Sequence, residues 1–310
     1  PVGVRQLADG ADGLLGLSRH RDHVDRDLAL RGHAERREEV REVLARERDR
    51  GAGREDRRAQ HRDAAAAPAV DQRAGEEGRS ERGGNGGARQ CHPRQAHMHG
   101  LLHERGQSRL VETLGDLGIN DVFVLDAFRR VPRHLFVDPA VADSAYSDVT
   151  LPLGHQQTLS QPSVVARMLE LLRGGRQLGR VLEVGAGSGF QTGLLAHLAE
   201  QVFAIERITP LATEARKRMD TLELENVVIR HGDGLLGWPE FAPFDGIILA
   251  ACPEAVPQSL FDQLADGGRL IAPVGLGQTQ HLILYRRDGD SIEDTPLDTA
   301  FFVPALAGLQ

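Results

Sequence analysis

From about residue 107 onward, compact apolar runs alternate with stretches whose apolar residues recur at helical spacing, which is the pattern of strands alternating with helices. Helices are expected at Gln107–Leu117, Asp121–Arg129, Gln191–Ala199, Pro210–Leu222 and Val256–Leu264, with Pro210 suited to a first helical turn. Strands are expected at Arg180–Val184, Val202–Ile205, Val227–Arg230, Gly246–Ala250, Arg269–Pro273 and His281–Tyr285. These strands are apolar throughout rather than on every second residue, so both faces of their sheet should be covered. A last strand at Ala300–Val303 follows His281–Tyr285 with only a loop at Arg286–Asp298, which predicts an antiparallel addition at one edge. The expected fold is α/β: a doubly wound, mostly parallel, Rossmann-like sheet of seven strands with a helical preamble.

The periodicity has no counterpart upstream. Residues 1–97 contain no Ile, Phe, Tyr, Trp or Met and consist mainly of Arg, Ala, Gly, Asp, Glu and His. Such a segment buries too little apolar surface to offset a chain entropy of about 1–2 kcal/mol per residue. It reads as a low-complexity, disordered leader in which residues 34–50 form at most an isolated, solvated helix. The first methionine is Met98, directly before the foldable part, and the expectation is a working chain that starts there, with residues 98–310 as its one folded domain.

Charge narrows the partners. Residues 1–100 hold 20 Arg against 18 acidic residues, a near balance without interleaved aromatics, which argues against a nucleic-acid arm. Residues 101–310 hold 17 basic and 27 acidic residues, a net charge of −10, which disfavours nucleic acid and anionic membranes. No apolar stretch is long enough to span a bilayer, and Leu14–Leu17 is too short for a secretory core. Cys91 and Cys252 lie in such different settings that two free thiols are expected, consistent with a cytoplasmic protein.

Chemistry enters where a strand breaks into glycines: Leu182-Glu183-Val184-Gly185-Ala186-Gly187-Ser188-Gly189. Glycines at 185, 187 and 189 expose backbone N–H groups to a ligand at the start of a helix. A dinucleotide fingerprint would require glycine at 190, where Phe190 stands. The observed G-x-G-x-G spacing after Glu183, with the antiparallel edge, resembles the first motif of class I S-adenosylmethionine-dependent methyltransferases. Glu206 ends the next strand, 21 residues beyond Gly185, where a carboxylate accepts from ribose hydroxyls; the alternative is a solvated strand end. Asp233, in His231-Gly232-Asp233-Gly234 after the third strand, reads either as an acceptor for an adenine amino group or as a plain turn.

The most specific run lies before the sheet: Leu151-Pro152-Leu153-Gly154-His155-Gln156-Gln157-Thr158-Leu159-Ser160-Gln161-Pro162. It resembles the protein-L-isoaspartate O-methyltransferase family, whose bacterial members read close to LPIGHGQTISQP. The likeness continues through Val181–Gly185, Ile205–Ile208, Arg230–Gly234, Ala242–Asp245 and Phe302-Val303-Pro304, spanning about residues 107–306. The resemblance implies methyl transfer from S-adenosyl-L-methionine to the α-carboxyl of L-isoaspartyl residues in damaged proteins and peptides. S-adenosyl-L-homocysteine is released, and the ester closes to a succinimide that hydrolyses to aspartate. It further implies a cofactor site of Gln157, Thr158, Glu183, Gly185, Ala186, Gly187, Gly189, Glu206, Arg207, Asp233 and Gly234. Thr158, Ser160, Val303 and Pro304 then face the substrate, with Ser160 as the active-site serine.

A carboxylate nucleophile needs no base, so His155 and His231 read as loop residues, and no metal is called for. Ser160 is expected to orient the substrate carboxylate, and it is equally placed to cap a helix from Val164 to Leu172; the two readings are compatible. Gln156 stands where bacterial relatives usually have Gly, Leu159 replaces Ile, and Ala305 follows Pro304 where Leu is common, which leaves substrate breadth open. A small-molecule methyltransferase and a non-catalytic cofactor-binding module are the competing functions. A monomer is expected.

Overall fold

The structure, a computed structural model, describes residues 93–277 and 279–310. The expected leader and the helix at residues 34–50 lie outside the described residues, apart from 93–97, which open the first helix. Among the described residues no helix is long and apolar enough to cross a membrane.

Helix α1 (Pro93–Asp116) and helix α2 (Val122–Arg130) form the preamble, the second capped by Asp121, whose Oδ1 accepts from the backbone of Phe123 at 3.0 Å. Two short 3-10 turns follow at Arg133–Phe136 and Pro139–Ser144. Strands β1 (Leu151–Gly154) and β2 (Gln157–Leu159) make an antiparallel hairpin, for which no strands were expected. Helix α3 (Pro162–Arg173) buries Val165, Met168, Leu169 and Leu172, each worth about 1.5–3 kcal/mol on transfer from water. It packs on the sheet because Gly246 beneath Leu172 has no side chain: a Cβ there would lie 3.1 Å from Leu172 Cγ.

The sheet is built from β3 (Leu178–Val184), β4 (Ala199–Glu206), β5 (Val227–His231), β6 (Phe244–Leu249), β7 (Leu264–Leu276), β8 (Thr279–Asp288) and β9 (Ser291–Thr299). Their spatial order is β5-β4-β3-β6-β7-β8-β9, parallel from β5 to β7 and antiparallel at β8 and β9. The chain therefore reverses direction of growth between β3 and β6, and the crevice beyond their carboxyl ends is where an open α/β sheet accepts a ligand. Helices α4 (Phe190–Ala196) and α5 (Thr209–Thr221) connect the β3, β4 and β5 strands. The seven-stranded, mostly parallel architecture read from the sequence holds.

Several element boundaries differ, three of them for a plain physical reason. The helix expected to reach Ala199 stops at Ala196, because Ala199 already pairs with Leu178 as the first residue of β4. The helix expected over Val256–Leu264 is only α6 (Gln258–Phe261). There the buried Gln263 side chain bonds Ser259, Leu236 and Trp238, and Leu264 joins the sheet opposite Phe244. The last strand is not Ala300–Val303 but β9, joined to β8 by a tight turn in which Asp288 pairs with Ser291. As a solvated edge strand with Pro296 inside it, β9 needs no apolar residues, so hydrophobicity pointed instead to the segment after it.

Candidate functional site

Val184 ends β3, and the backbone then turns through Gly185 (φ +90°), Gly187 (φ +56°) and Gly189 (φ +90°) into α4. Clearance is not what demands glycine at 185 and 187, since a Cβ at either would meet its nearest neighbour no closer than 3.6 Å. The left-handed backbone demands it. At Gly189 packing adds to this: a Cβ would press on Ala215 and Met219 of α5 at 3.2 and 3.1 Å. The turn is pinned to β4, because Gly185 and Ala186 both donate to the carbonyl of Ile205, at 2.8 and 3.2 Å.

Glu206, at the end of β4, is buried and holds this turn from the other side. Its Oε2 accepts from the backbone of Gly187 at 2.7 Å and its Oε1 from Ile208 at 2.9 Å. Each oxygen keeps a further lone pair for another donor. Glu183 lies deeper, fully buried in β3, and accepts from Thr192 Oγ1 at 2.5 Å. Burial pushes its carboxyl up to about 8, against the opposing pull of that hydroxyl. Its other oxygen, with Ser188 Oγ and Gln191 Nε2, is buried without a well-formed hydrogen bond among the described residues, although the Gln191 amide lies near enough to draw the carboxyl down, and all three residues line the same cleft. Buried polar atoms short of partners in this way fit a ligand that carries several polar groups, as S-adenosylmethionine does at its methionine end.

That cleft opens between the carboxyl ends of β3, β4 and β6 and the β1–β2 hairpin. Gly185, Ala186, Gly187, Glu206, Arg207 and Gly234 line one side. Gly234 presses its backbone on β3, where a Cβ would lie 2.6 Å from Val184 Cγ1. Gly189 and Asp233 are not in the lining. Asp233 sits beside it, accepting from the backbones of Leu235 at 3.0 Å and Gly308 at 2.7 Å. The guanidinium of Arg207 turns to the same terminal segment, donating to the carbonyl of Gly308 at 3.2 Å and to Gln310 Oε1 at 3.1 Å. His231 lies against the carbonyl of Arg207, with Nε2 at 3.0 Å, in a structural position.

Gln157, Thr158 and Ser160 line the opposite side, together with Val303 and Pro304. Ser160 does not cap α3. The cap position is Gln161, and the backbone of Ser163 is instead satisfied by Asp148 at 2.8 Å, a carboxylate that also accepts from Gln161. The Ser160 hydroxyl therefore makes no hydrogen bond among the described residues. His155 and Gln156 are exposed at the hairpin tip with φ of +51° and +58°, outside the cleft, so Gln156 strains the turn without narrowing the site.

A family model described as Protein-L-isoaspartate(D-aspartate) O-methyltransferase matches residues 104–310. The protein-L-isoaspartate O-methyltransferase of Hahella chejuensis is 52% identical over 209 residues, which span 67% of this chain and 99% of that protein. The one from Azoarcus sp. is 54% identical over 207 residues, spanning 66% and 95%. The chain belongs to the protein-L-isoaspartate O-methyltransferase family. A solved structure of that name matches with a TM-score of 0.60 at 28% identity, covering 66% of this chain and 67% of its own. A second, described as the enzyme from Plasmodium falciparum in complex with S-adenosyl-L-homocysteine, has a TM-score of 0.56 at 25% identity and covers 66% and 98%. Neither relative carries a name that points to a small-molecule acceptor.

Two residues that shape the site carry little signal in the sequence. Arg133 is buried and donates to the carbonyls of Ala145, Ser147, Val149 and Ser160, at 3.2, 3.3, 3.2 and 2.9 Å. An arginine inside the apolar run Val131–Val137 was the available signal. Asp148 gave none, since an aspartate in a polar loop is ordinary.

Proposed function

We propose that this chain transfers the methyl group of S-adenosyl-L-methionine to the α-carboxyl of L-isoaspartyl residues in damaged proteins and peptides. The observation that carries this reading is the unspent hydroxyl of Ser160, set across one cleft from the unpaired polar atoms around Glu183. When bound, the cofactor supplies an electrophilic methyl group on a positively charged sulfur. Transfer of that methyl to a substrate carboxylate oxygen would leave the carbon–sulfur electron pair on sulfur and would require no proton to move. The protein's work is then to align the reacting atoms and exclude water.

Gly185, Ala186, Gly187 and Gly189 shape the turn that takes the methionine and ribose portions, with Glu183 beneath them. Glu206 receives the ribose hydroxyls through its remaining lone pairs. Asp233, Gly234 and the backbone of Arg207 border the adenine. Gln157 and Thr158 close over cofactor and substrate, and Ser160 donates to one carboxylate oxygen so that the other faces the methyl group. Val303 and Pro304 form the wall along which an extended peptide lies.

The acidic balance of residues 101–310 supports a protein that takes no nucleic acid, and we place it in the cytoplasm as a monomer. Residues 98–310 form the catalytic unit, with the leader dispensable, so a chain starting at Met98 should match the full chain in activity. Radiolabelled methyl transfer to matched aspartyl and isoaspartyl peptides tests the assignment. Label should enter only the isoaspartyl peptide, and Ser160→Ala should lower turnover about ten-fold or more while leaving the affinity for S-adenosyl-L-homocysteine unchanged. Equal labelling of both peptides, or none of either, overturns the reading.

A further inference from the structure

Beyond Thr299 the chain leaves the β8–β9 ladder, and from Val303 onward it lines the cleft. Ala300 makes one more backbone bond, to the carbonyl of Gln280 at 3.2 Å. The next backbone groups are met by a side chain. Gln280 Oε1 accepts from the N–H of Phe302 at 2.7 Å, and its Nε2 donates to the carbonyl of Phe302 at 3.1 Å. The same Nε2 donates to the carbonyl of Gly277 at 3.1 Å, which fixes the amide's orientation. A primary amide offers one acceptor and two donors on a short rigid plane, so Gln280 continues the ladder in place of a missing strand residue. Its side chain is buried, and it is not part of the cleft lining.

Immediately after this point the backbone is gripped again. Cys252 donates to the carbonyl of Val303 and accepts from the N–H of Ala305, both at 2.8 Å. Val303 and Pro304, which line the cleft, are thus held between two clamps, one of them a single side chain. We propose that Gln280 is a positioning residue for the peptide acceptor: its amide sets the height and direction of the Val303-Pro304 wall without touching substrate or cofactor. The inference rests on the reading of that wall as the acceptor side of the cleft.

The test replaces Gln280 by Met, which keeps length and apolar bulk but offers no hydrogen bond to Phe302, and by Glu, which keeps the acceptor and loses both donations. For Gln280→Met the KM for an isoaspartyl peptide should rise about ten-fold, with kcat and the dissociation constant for S-adenosyl-L-homocysteine within about two-fold of the parent. Gln280→Glu should fall between the two. Hydrogen exchange should quicken at residues 300–305 and nowhere in the glycine turn. A parent-like KM in Gln280→Met, or a loss of peptide and cofactor affinity together in both variants, overturns the proposal. Should Gln280→Met not fold, Gln280→Glu decides alone, through a raised peptide KM at unchanged cofactor affinity. Failure of the underlying reading is distinguishable, because the parent chain itself would then not methylate the isoaspartyl peptide.

Discussion

The backbone N–H of Gly308 donates to Asp233 Oδ2 at 2.7 Å, while the other oxygen of the same carboxylate caps the turn at Leu235. A residue near the end of the chain and the carboxylate read as the adenine acceptor therefore share one group, and Arg207 holds the same segment by its guanidinium. Asp233→Asn keeps a single acceptor oxygen, so either the turn or the terminal segment loses its bond. The affinity for S-adenosyl-L-homocysteine should fall about ten-fold, with faster hydrogen exchange at residues 306–310. Calorimetric titration showing parent-like affinity would remove Asp233 from the adenine end.

How far the sequence disclosed this arrangement depends on which signal each part carries. The parallel strands were legible because burial on both faces leaves uninterrupted apolar runs, and the glycine turn because three left-handed positions require one residue type. The edge strand β9 was not, because solvent covers it and its polar residues look like a loop. Glu206 was singled out by its distance from the glycine turn and Ser160 by the family resemblance of the run around it, and both line the cleft. Gln280 stood out in no way, since a glutamine that substitutes for a backbone group is recognisable only once its partner, 22 residues away, is beside it.

On the proposed placement of Glu183 beneath the cofactor, binding should depend on pH. Burial holds its carboxyl near 8, so close to neutrality the cofactor-free protein keeps it largely protonated. An α-ammonium bound beside it would favour the ionised form, so binding should expel a proton and tighten as pH rises toward about 8. Stability runs the other way: the folded value lies above the ordinary 4.5, so this group's contribution is complete below 4.5 and is lost as pH rises through about 8. Titrations in buffers of differing ionisation enthalpy read the proton release, and Glu183→Gln should abolish it.

Gln156→Gly relieves a left-handed backbone at φ +58°. The relief of about 1–2 kcal/mol is partly offset by the greater freedom of glycine in the unfolded chain. A net gain of about 0.5–1 kcal/mol by chemical denaturation is expected. Because the side chain is exposed and outside the cleft, peptide kinetics should not change. An altered KM would mean that the hairpin tip meets the substrate.

Arg133 links the serine to the rest of the fold. It reaches carbonyls at 145, 147, 149 and 160 from one buried guanidinium, whose pKa burial lowers to about 10. Lysine cannot reproduce this, because a compact ammonium with three donors does not span four carbonyls distributed around a planar fork. Arg133→Lys should cost about 2–3 kcal/mol of stability through the carbonyls left unpaired. The bond nearest the chemistry is the one to Ser160, at 2.9 Å, and its loss frees the serine backbone rather than the cofactor turn. Kinetics at a temperature where the variant stays folded should therefore show a lower kcat with unchanged affinity for S-adenosyl-L-homocysteine. If cofactor affinity falls in parallel, Arg133 supports the whole cleft and not the serine wall in particular.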